Sequence, residues 1–327
     1  MKILNMAVWG IGPHALKNIL PAIGVCPGLS LYGVCSRNLE SVSKAASQFQ
    51  CKGWGDPVDM LEDKLIDIVF LSTPIGLHAI QGKAVLQAGK HLWCEKPLAM
   101  NLGQTLELER LSRERGLSLA EGFMYLYHSQ FARLKQIVDV GMLGTLRCIN
   151  VRFGIPPLER PGFRNNAALG GGAFLDVGSY LVSATVALLG EGRAEVLFSE
   201  ISSTAESPVD TSGLAFLRYI FSTGMSVDVI LEWGIDRAYR NEIDLWGDVG
   251  SVSSERFFSK APDYVPKFRF LDRHGNESFE LGRSENHFSA MFEAFIGLAR
   301  DARLADQERM EIVRRAELVD KIQRAKT

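Results

Sequence analysis

The apolar positions of this chain recur in two rhythms, and the change from one to the other divides it. The first is organised around Leu65 to Pro97. Ile66 to Leu71 is almost continuously apolar, as in a parallel strand buried on both faces, and Ser72-Thr73-Pro74 stops it. Leu77, Ile80, Ala84, Val85 and Ala88 then recur at helical spacing as far as Gly89, a helix stop. His91 to Cys94 reads as a second short strand. Strand, helix and strand at this length predict a right-handed crossover within one parallel sheet. The alternation extends to both sides. Strands are expected at Ile3–Trp9, Leu29–Cys35 and Leu117–Glu121, with a short segment near Trp54. Helices are expected at Ala15–Ile23, Leu39–Gln50, Asp56–Leu61 and Asn101–Arg115.

Past Gly122 the rhythm becomes one of alternation. Phe123 to His128 reads as a packed segment leading into a helix, Gln130–Val140. Strand-like stretches follow at Thr145–Phe153, Ala194–Ile201, Leu214–Phe221, Met225–Trp233, Asn241–Trp246, Lys267–Leu271 and Glu277–Leu281. In Met225–Trp233, Val227, Val229, Leu231 and Trp233 fall on one face, and Ser226, Asp228 and Glu232 on the other. That pattern predicts a largely antiparallel sheet with one buried face. Its outer face is expected to carry Ile230 and Tyr219 among polar residues, which is poorly suited to face water and favours self-association there. Helices Ala173–Leu189, His287–Arg300 and Gln307–Ala325 cover the other side.

The first strand opens directly into Gly10-Ile11-Gly12-Pro13-His14-Ala15, a G-x-G-x-x-A run between a strand and a helix. Glycines there permit a tight turn and close backbone approach, and a pyrophosphate can rest on the helix N-terminus. The fold class is therefore α/β: a Rossmann dinucleotide-binding domain over residues 1–122, and a second α/β domain over 123–327 with a large open mixed sheet. The C-terminal helices are free to pack back on the first domain. After the second strand, a carboxylate would bind the ribose hydroxyls of NAD. This chain has Ser36-Arg37-Asn38, a hydroxyl and a guanidinium suited to a 2′-phosphate, which favours NADP(H) over NAD(H). The bland alternative is that Arg37 is a solvated loop residue, or stacks on adenine while either cofactor binds. His78, in the first turn of its helix, either faces the cofactor or caps the Thr73-Pro74 loop. Asp176 and Tyr180, four apart behind Gly170-Gly171-Gly172, share one helical face and could anchor a polyol and move a proton. Equally, Asp176 could cap the helix and Tyr180 belong to the core.

Composition narrows the partners. The 327 residues are 46% hydrophobic and 23% charged, with a net charge of −2, which gives no basis for a nucleic-acid or anionic-membrane surface. Five scattered Cys without a C-x-x-C pair argue against a metal site or disulfide framework and for reduced thiols in a cytoplasmic protein. The N-terminus turns glycine-rich too soon for a signal peptide. The longest charge-free run, Asn18 to Ser36, holds Pro21, Pro27 and three Gly and is not expected to span a membrane.

WGIGPHA, STPIGLHAIQGKAVLQAGKHLWCEKP, GFMYLYH and LGGGAFLDVGSY together closely resemble the Gfo/Idh/MocA oxidoreductases over almost the whole chain. Within that family, GGGAFLDVGSY and Glu255-Arg256-Phe257-Phe258 are most similar to NDP-sugar 3-ketoreductases, with dihydrodiol and aldose dehydrogenases as the alternative. The resemblance implies hydride transfer between a nicotinamide and a sugar carbonyl or carbinol. It implies that Gly10, Ile11, Gly12, Pro13 and His14 hold the pyrophosphate, Ser36 and Arg37 the adenosine phosphate, and Leu71, Ser72, Thr73 and His78 the middle of the cofactor. Glu95 and Lys96 would lie by the nicotinamide ribose, with Lys96 also reaching the reacting oxygen and Arg164 contacting the cofactor. Asp176 would anchor substrate and Tyr180 donate the proton. The family's Lys96–Pro97 bond is often cis. Leu126 and His128-Ser129 depart from the subgroup's pattern, in which a basic residue and a proline are common. A cofactor-binding regulator of the same fold is the non-enzymatic rival, and Lys96, Asp176 and Tyr180 together argue against it.

Overall fold

The computed structural model describes residues 2–159 and 161–325. The chain forms two compact units. One comprises residues 1–122 and 288–313, the other 123–287 and 314–327.

In the first unit, β1 (Leu4–Trp9), β2 (Leu29–Cys35), β3 (Lys52–Trp54), β4 (Ile68–Leu71), β5 (His91–Cys94) and β6 (Leu119–Glu121) form a wholly parallel sheet. Its order is β3-β2-β1-β4-β5-β6. The strand order reverses between β1 and β4, which is where such sheets bind ligands at their carboxyl ends. Every residue of β4 is buried, as its unbroken apolar run requires. Helix starts are fixed locally: the side chains of Asn38, Asp56 and Asn101 accept backbone N–H bonds from Ser41, Val58 and Gln104. The helix after the glycine loop opens with a wide π-helical turn, Ala15–Ile19, and continues as α-helix through Leu20–Val25. Pro21, which has no N–H to give, sits at the start of that regular part. Helix His287–Arg300 contributes Phe292 and Phe295, which pack against Phe70 and Trp93 at 5.5 and 5.3 Å between ring centroids.

The second unit is built on eight strands: β7 (Leu146–Gly154), β8 (Arg193–Ser202), β9 (Ser212–Ile220), β10 (Ser226–Gly234), β11 (Arg240–Gly247), β12 (Gly250–Glu255), β13 (Lys267–Asp272) and β14 (Glu277–Leu281). Their order is β14-β13-β12-β11-β7-β10-β9-β8, with β7 and β10 parallel and the other pairs antiparallel. Val227, Val229, Leu231 and Trp233 face inward, 0–3% exposed, under the helical segment 174–189, where Phe174 packs on Trp233 at 4.9 Å. Residues 167–189 are long and apolar enough to cross a membrane, but 94% of that window is buried within the protein: it is a core element.

Three expectations need correction. Strand β12 was not anticipated, because its Ser-rich sequence shows no alternation. Ser254 is nonetheless buried, its hydroxyl accepting from Gln130 Nε2 (2.8 Å) and donating to the Lys267 carbonyl (2.9 Å). The last helix runs Ala302–Arg324, starting earlier than its apolar spacing suggests, because the Asp301 carboxylate accepts from the Arg303 N–H. Tyr219 does not lie on the outer sheet face. It alternates in phase with buried Ala215 and Leu217, and its hydroxyl donates to the Gly190 carbonyl at 2.6 Å. Ile230 does face outward, paired directly with Phe216, which is paired in turn with Phe198.

Candidate active site

At the carboxyl ends of β1, β2, β4 and β5 the first unit brings together Gly10, Ser36, Ser72 and Glu95. Gly10 has φ +108°, and a Cβ there would lie 2.5 Å from the Ser72 carbonyl oxygen and 2.9 Å from Thr73 Cγ2. Only glycine lets the end of β1 approach β4 so closely. A Cβ on Gly12 would meet nothing within 4 Å, so this backbone faces open space just before the helix, whose Leu16 N–H already reaches the Gly12 carbonyl (3.1 Å). Ile11, Pro13 and His14 complete this accessible loop. An open glycine backbone at a helix N-terminus fits a dinucleotide pyrophosphate. Ser36 is held by its N–H to the Trp54 carbonyl (3.2 Å), and its hydroxyl accepts the Asn38 N–H (3.3 Å), leaving Arg37 exposed beyond β2. Leu71 has its side chain wholly in the core, where its carbonyl accepts the Glu95 N–H (2.9 Å). Thr73 Oγ1 donates to Gln81 Oε1 at 2.5 Å.

His78 makes the contacts that the loop-holding alternative requires. It is 1% exposed, with Nε2 2.8 Å from the Thr73 carbonyl and Nδ1 3.0 Å from the Pro97 carbonyl. Burial lowers its pKa, opposed by those two bonds. The ring thus lies between the loop after β4 and the turn after β5, where Lys96–Pro97 is cis. Glu95 accepts from His14 Nε2 at 3.1 Å. Burial alone would raise this carboxyl. The charge and hydrogen bond of His14, followed by Lys96, outweigh it and hold the pKa below the ordinary range. His14 therefore has a carboxylate partner in addition to its place beside the glycine loop.

The second unit explains its three glycines separately. Gly170 (φ +75°) ends a short helical turn. A Cβ on Gly171 would strike the Arg164 carbonyl at 2.5 Å, and one on Gly172 (φ +117°) would strike Asp210 Oδ1 at 2.1 Å. Asp210, unmarked in the sequence, accepts the Phe174 N–H at 2.6 Å and so caps the helical segment, the role open to Asp176 on the sequence. Asp176 is instead 6% exposed and accepts from Arg164 Nε at 2.5 Å. Arg164, stacked on Phe163 with 4.9 Å from guanidinium carbon to ring centroid, is thereby a partner of the proposed substrate anchor. Tyr180 lies one turn on, 7% exposed, among the rings of Phe123, Tyr125, Phe153 and Phe258 at 5.4–5.9 Å, its hydroxyl 3.6 Å from Met124 Sδ.

A further polar cluster carries no sequence signature. Lys260 is 9% exposed, and its Nζ donates to the Phe257 carbonyl at 2.8 Å. Burial, only partly offset by Glu285, brings its pKa down to about 7. His128, fully buried, accepts the Gln130 N–H at Nδ1 (2.9 Å), and burial followed by the Lys260 charge lowers its pKa to about 4. The spacing of these residues, 128, 260 and 285, is set only by the folded chain. Among the described residues no group of His, Cys, Asp and Glu is arranged to hold a metal.

Comparison with known proteins agrees with this construction. Residues 4–123 match the oxidoreductase family with NAD-binding Rossmann fold (GFO_IDH_MocA), and residues 131–253 the GFO/IDH/MocA C-terminal domain. The chain is 31% identical to a dTDP-3,4-didehydro-2,6-dideoxy-alpha-D-glucose 3-reductase of Streptomyces violaceoruber, covering 99% of this chain and 96% of the relative. A trans-1,2-dihydrobenzene-1,2-diol dehydrogenase of Xenopus tropicalis is 26% identical over 64% of this chain and 65% of its own. A 3-ketoreductase of Actinomadura kijaniata, solved with NADP and TDP-benzene, superposes with a TM-score of 0.91 at 27% identity, covering 99% and 98% of the two chains. With its glycine loop, its Glu95-Lys96-Pro97 turn and full-length likeness on the page, the chain belongs to the Gfo/Idh/MocA family of NAD(P)-dependent oxidoreductases acting on CH–OH groups.

Proposed function

We propose that this protein is an NADP(H)-dependent ketoreductase that reduces the 3-keto group of a nucleotide-linked deoxysugar. The observation that carries the reading is the segment 163–180, where Arg164 orients the Asp176 carboxylate and Tyr180 follows one turn later in an aromatic surround. Full-length likeness to a dTDP-sugar 3-reductase supports the substrate class, and Ser36-Arg37 supports the phosphorylated cofactor. When bound, the nicotinamide supplies or accepts hydride. Lys96 places an ammonium at the developing alkoxide, where fixed charge in a water-poor site lowers the barrier. Tyr180 delivers the proton in the reducing direction, and Asp176 accepts hydrogen bonds from sugar hydroxyls. Glu95, held ionised by His14, and His78, seated between the Thr73 and Pro97 carbonyls, fix the turn from which Lys96 projects.

The outer face of the large sheet completes the proposal. The Phe198–Phe216–Ile230 row, with Trp246 64% exposed nearby on β11, suits self-association into a dimer or tetramer. A light-scattering mass near the 36.1 kDa of one chain would count against it.

The decisive assay follows NADPH absorbance, which falls with NADPH and a dTDP-3-keto-deoxysugar and rises with NADP⁺ and a free aldose or an aromatic dihydrodiol. Turnover confined to the nucleotide sugar is expected. Turnover confined to the aldose or dihydrodiol assigns the protein to a dehydrogenase instead.

A further inference from the structure

The turn that follows β12 has a backbone that its sequence does not favour. Arg256 adopts φ +48°, the left-handed region that side chains other than Gly, Asn and Asp rarely occupy. Three buried or half-buried side chains hold it there. Gln130 Nε2 donates to the Glu255 carbonyl (3.1 Å), and Lys260 Nζ to the Phe257 carbonyl (2.8 Å). Asn241, 3% exposed, accepts the Phe258 N–H at Oδ1 (2.8 Å) and donates from Nδ2 to the Ser259 carbonyl (3.1 Å). The same Asn241 amide also donates to the Tyr239 hydroxyl (3.1 Å).

The result is an outward-facing group on a braced turn. The Arg256 guanidinium carbon lies 5.6 Å from the Tyr239 ring centroid and 5.7 Å from that of Tyr264. Among the described residues no carboxylate pairs with it, whereas Arg152, Arg218 and Arg240 on the same sheet all have acidic partners. Tyr239 is 45% exposed, so one aromatic surface stays available. Strain of this kind persists only where surrounding structure over-determines it, and it concentrates at ligand-binding positions. The position in the chain adds a second link. Phe257 and Phe258 continue directly from Arg256, and the Phe258 ring packs on Tyr180 at 5.5 Å. Arg256, exposed beside the buried Phe257 and Phe258, thus stands at the outer edge of the aromatic wall that surrounds Tyr180.

We infer that Arg256, Tyr239 and Tyr264 form a subsite for a nucleoside diphosphate, with the Arg256 guanidinium on the diphosphate oxygens and the Tyr239 ring against the base. This rests on the nucleotide-sugar reading above and says where that nucleotide binds. A planar guanidinium flanked by rings is pre-organised for bidentate contact with phosphate oxygens. A tyrosine face stacks on a base without selecting its sequence of donors and acceptors.

The test is calorimetric titration of the NADPH-loaded protein with thymidine diphosphate and, separately, inorganic pyrophosphate. Arg256→Ala is expected to weaken both at least tenfold, and Tyr239→Ala to weaken thymidine diphosphate but not pyrophosphate. Arg256→Gly provides the folding control. Glycine accepts φ +48° without strain, so this variant should melt no lower than the parent and still lose the nucleotide. NADPH affinity should be unchanged in all three. If the parent binds thymidine diphosphate and Arg256→Gly binds it within twofold, the subsite is overturned while the nucleotide-sugar reading stands. If the parent binds NADPH but neither binds thymidine diphosphate nor turns over the nucleotide sugar, the reading itself fails and the subsite with it.

Discussion

Replacing Lys260 by Met should change the way stability depends on pH. Lys260 is 9% exposed, and burial brings its pKa from 10.5 down to about 7. The unfolded chain therefore keeps this proton up to about pH 10.5, whereas the native protein releases it near pH 7. Between those values the unfolded state binds more protons, so stability rises with pH. At about 1.4 kcal/mol per unit, the charge preference of the unfolded chain works against folding by about 4 kcal/mol at pH 7.5 and about 2 kcal/mol at pH 9. The parent should thus gain about 2 kcal/mol over that interval from this one group. His128, already neutral in both states above its ordinary pKa, adds little there. Lys260→Met loses the titration and also the bond to the Phe257 carbonyl, but the second loss is the same at every pH. The assay is a pair of thermal melts at pH 7.5 and 9. For a unit of this size about 2 kcal/mol corresponds to roughly 4–8 °C. The parent's Tm should rise relative to the variant's by that amount. Parallel curves for the two proteins would refute the assignment of a depressed pKa to Lys260, whatever the offset between them.

Arg37→Ala should remove most of a preference for NADPH over NADH of at least tenfold, about 1.4 kcal/mol. Competitive binding of the two cofactors measures it, and equal affinities in the parent protein would sink the reading of Ser36-Arg37. Tyr180→Phe should lower single-turnover hydride transfer on the order of 100-fold while NADPH affinity changes less than about threefold. Near-normal turnover would move the proton donor to another group. Lys96→Ala should be at least as damaging, and, on the proposal that both groups serve the same oxygen, the double variant scarcely worse. Gly10→Ala places a Cβ 2.5 Å from the Ser72 carbonyl oxygen at φ +108°, so a loss of several kcal/mol is expected, read as a fall in Tm together with loss of cofactor binding. A variant that keeps both would show that the β1–β4 junction can relax.

How much of this was legible in sequence depended on whether a signal was local. The buried parallel strands announce themselves because each is apolar on both faces, as in Ile68–Leu71. The glycine loop is legible because Gly10 answers a backbone requirement at its own position. Strand β12 hid because Ser254 is buried by hydrogen bonds from Gln130 and to Lys267, partners far away in sequence. Tyr219 misled for a related reason: an amphipathic ring suits either face, and only the register with Leu217 decides. The contacts of His78 with the Thr73 and Pro97 carbonyls depend on the turn after β5, which its own helix does not announce. Asp210 and Lys260 were invisible, since neither sits in a motif and each acts on a segment that only the fold brings near.

The insertion of β7 has its own consequence for how the larger unit is assembled. Strands β8, β9 and β10 form one sequential antiparallel meander and β11 to β14 another, but β10 and β11, neighbours in sequence, do not pair. Each lies against β7, which precedes them both by a long stretch of chain. The sheet is therefore two locally closed ribbons joined through β7, whose pairings are non-local on both sides and parallel only on the β10 side. Loop-closure entropy makes such a junction the slow step. Amide exchange under native conditions should accordingly resolve two cooperative blocks that meet at residues 146–154, with the β7 amides exchanging only when the ribbons part.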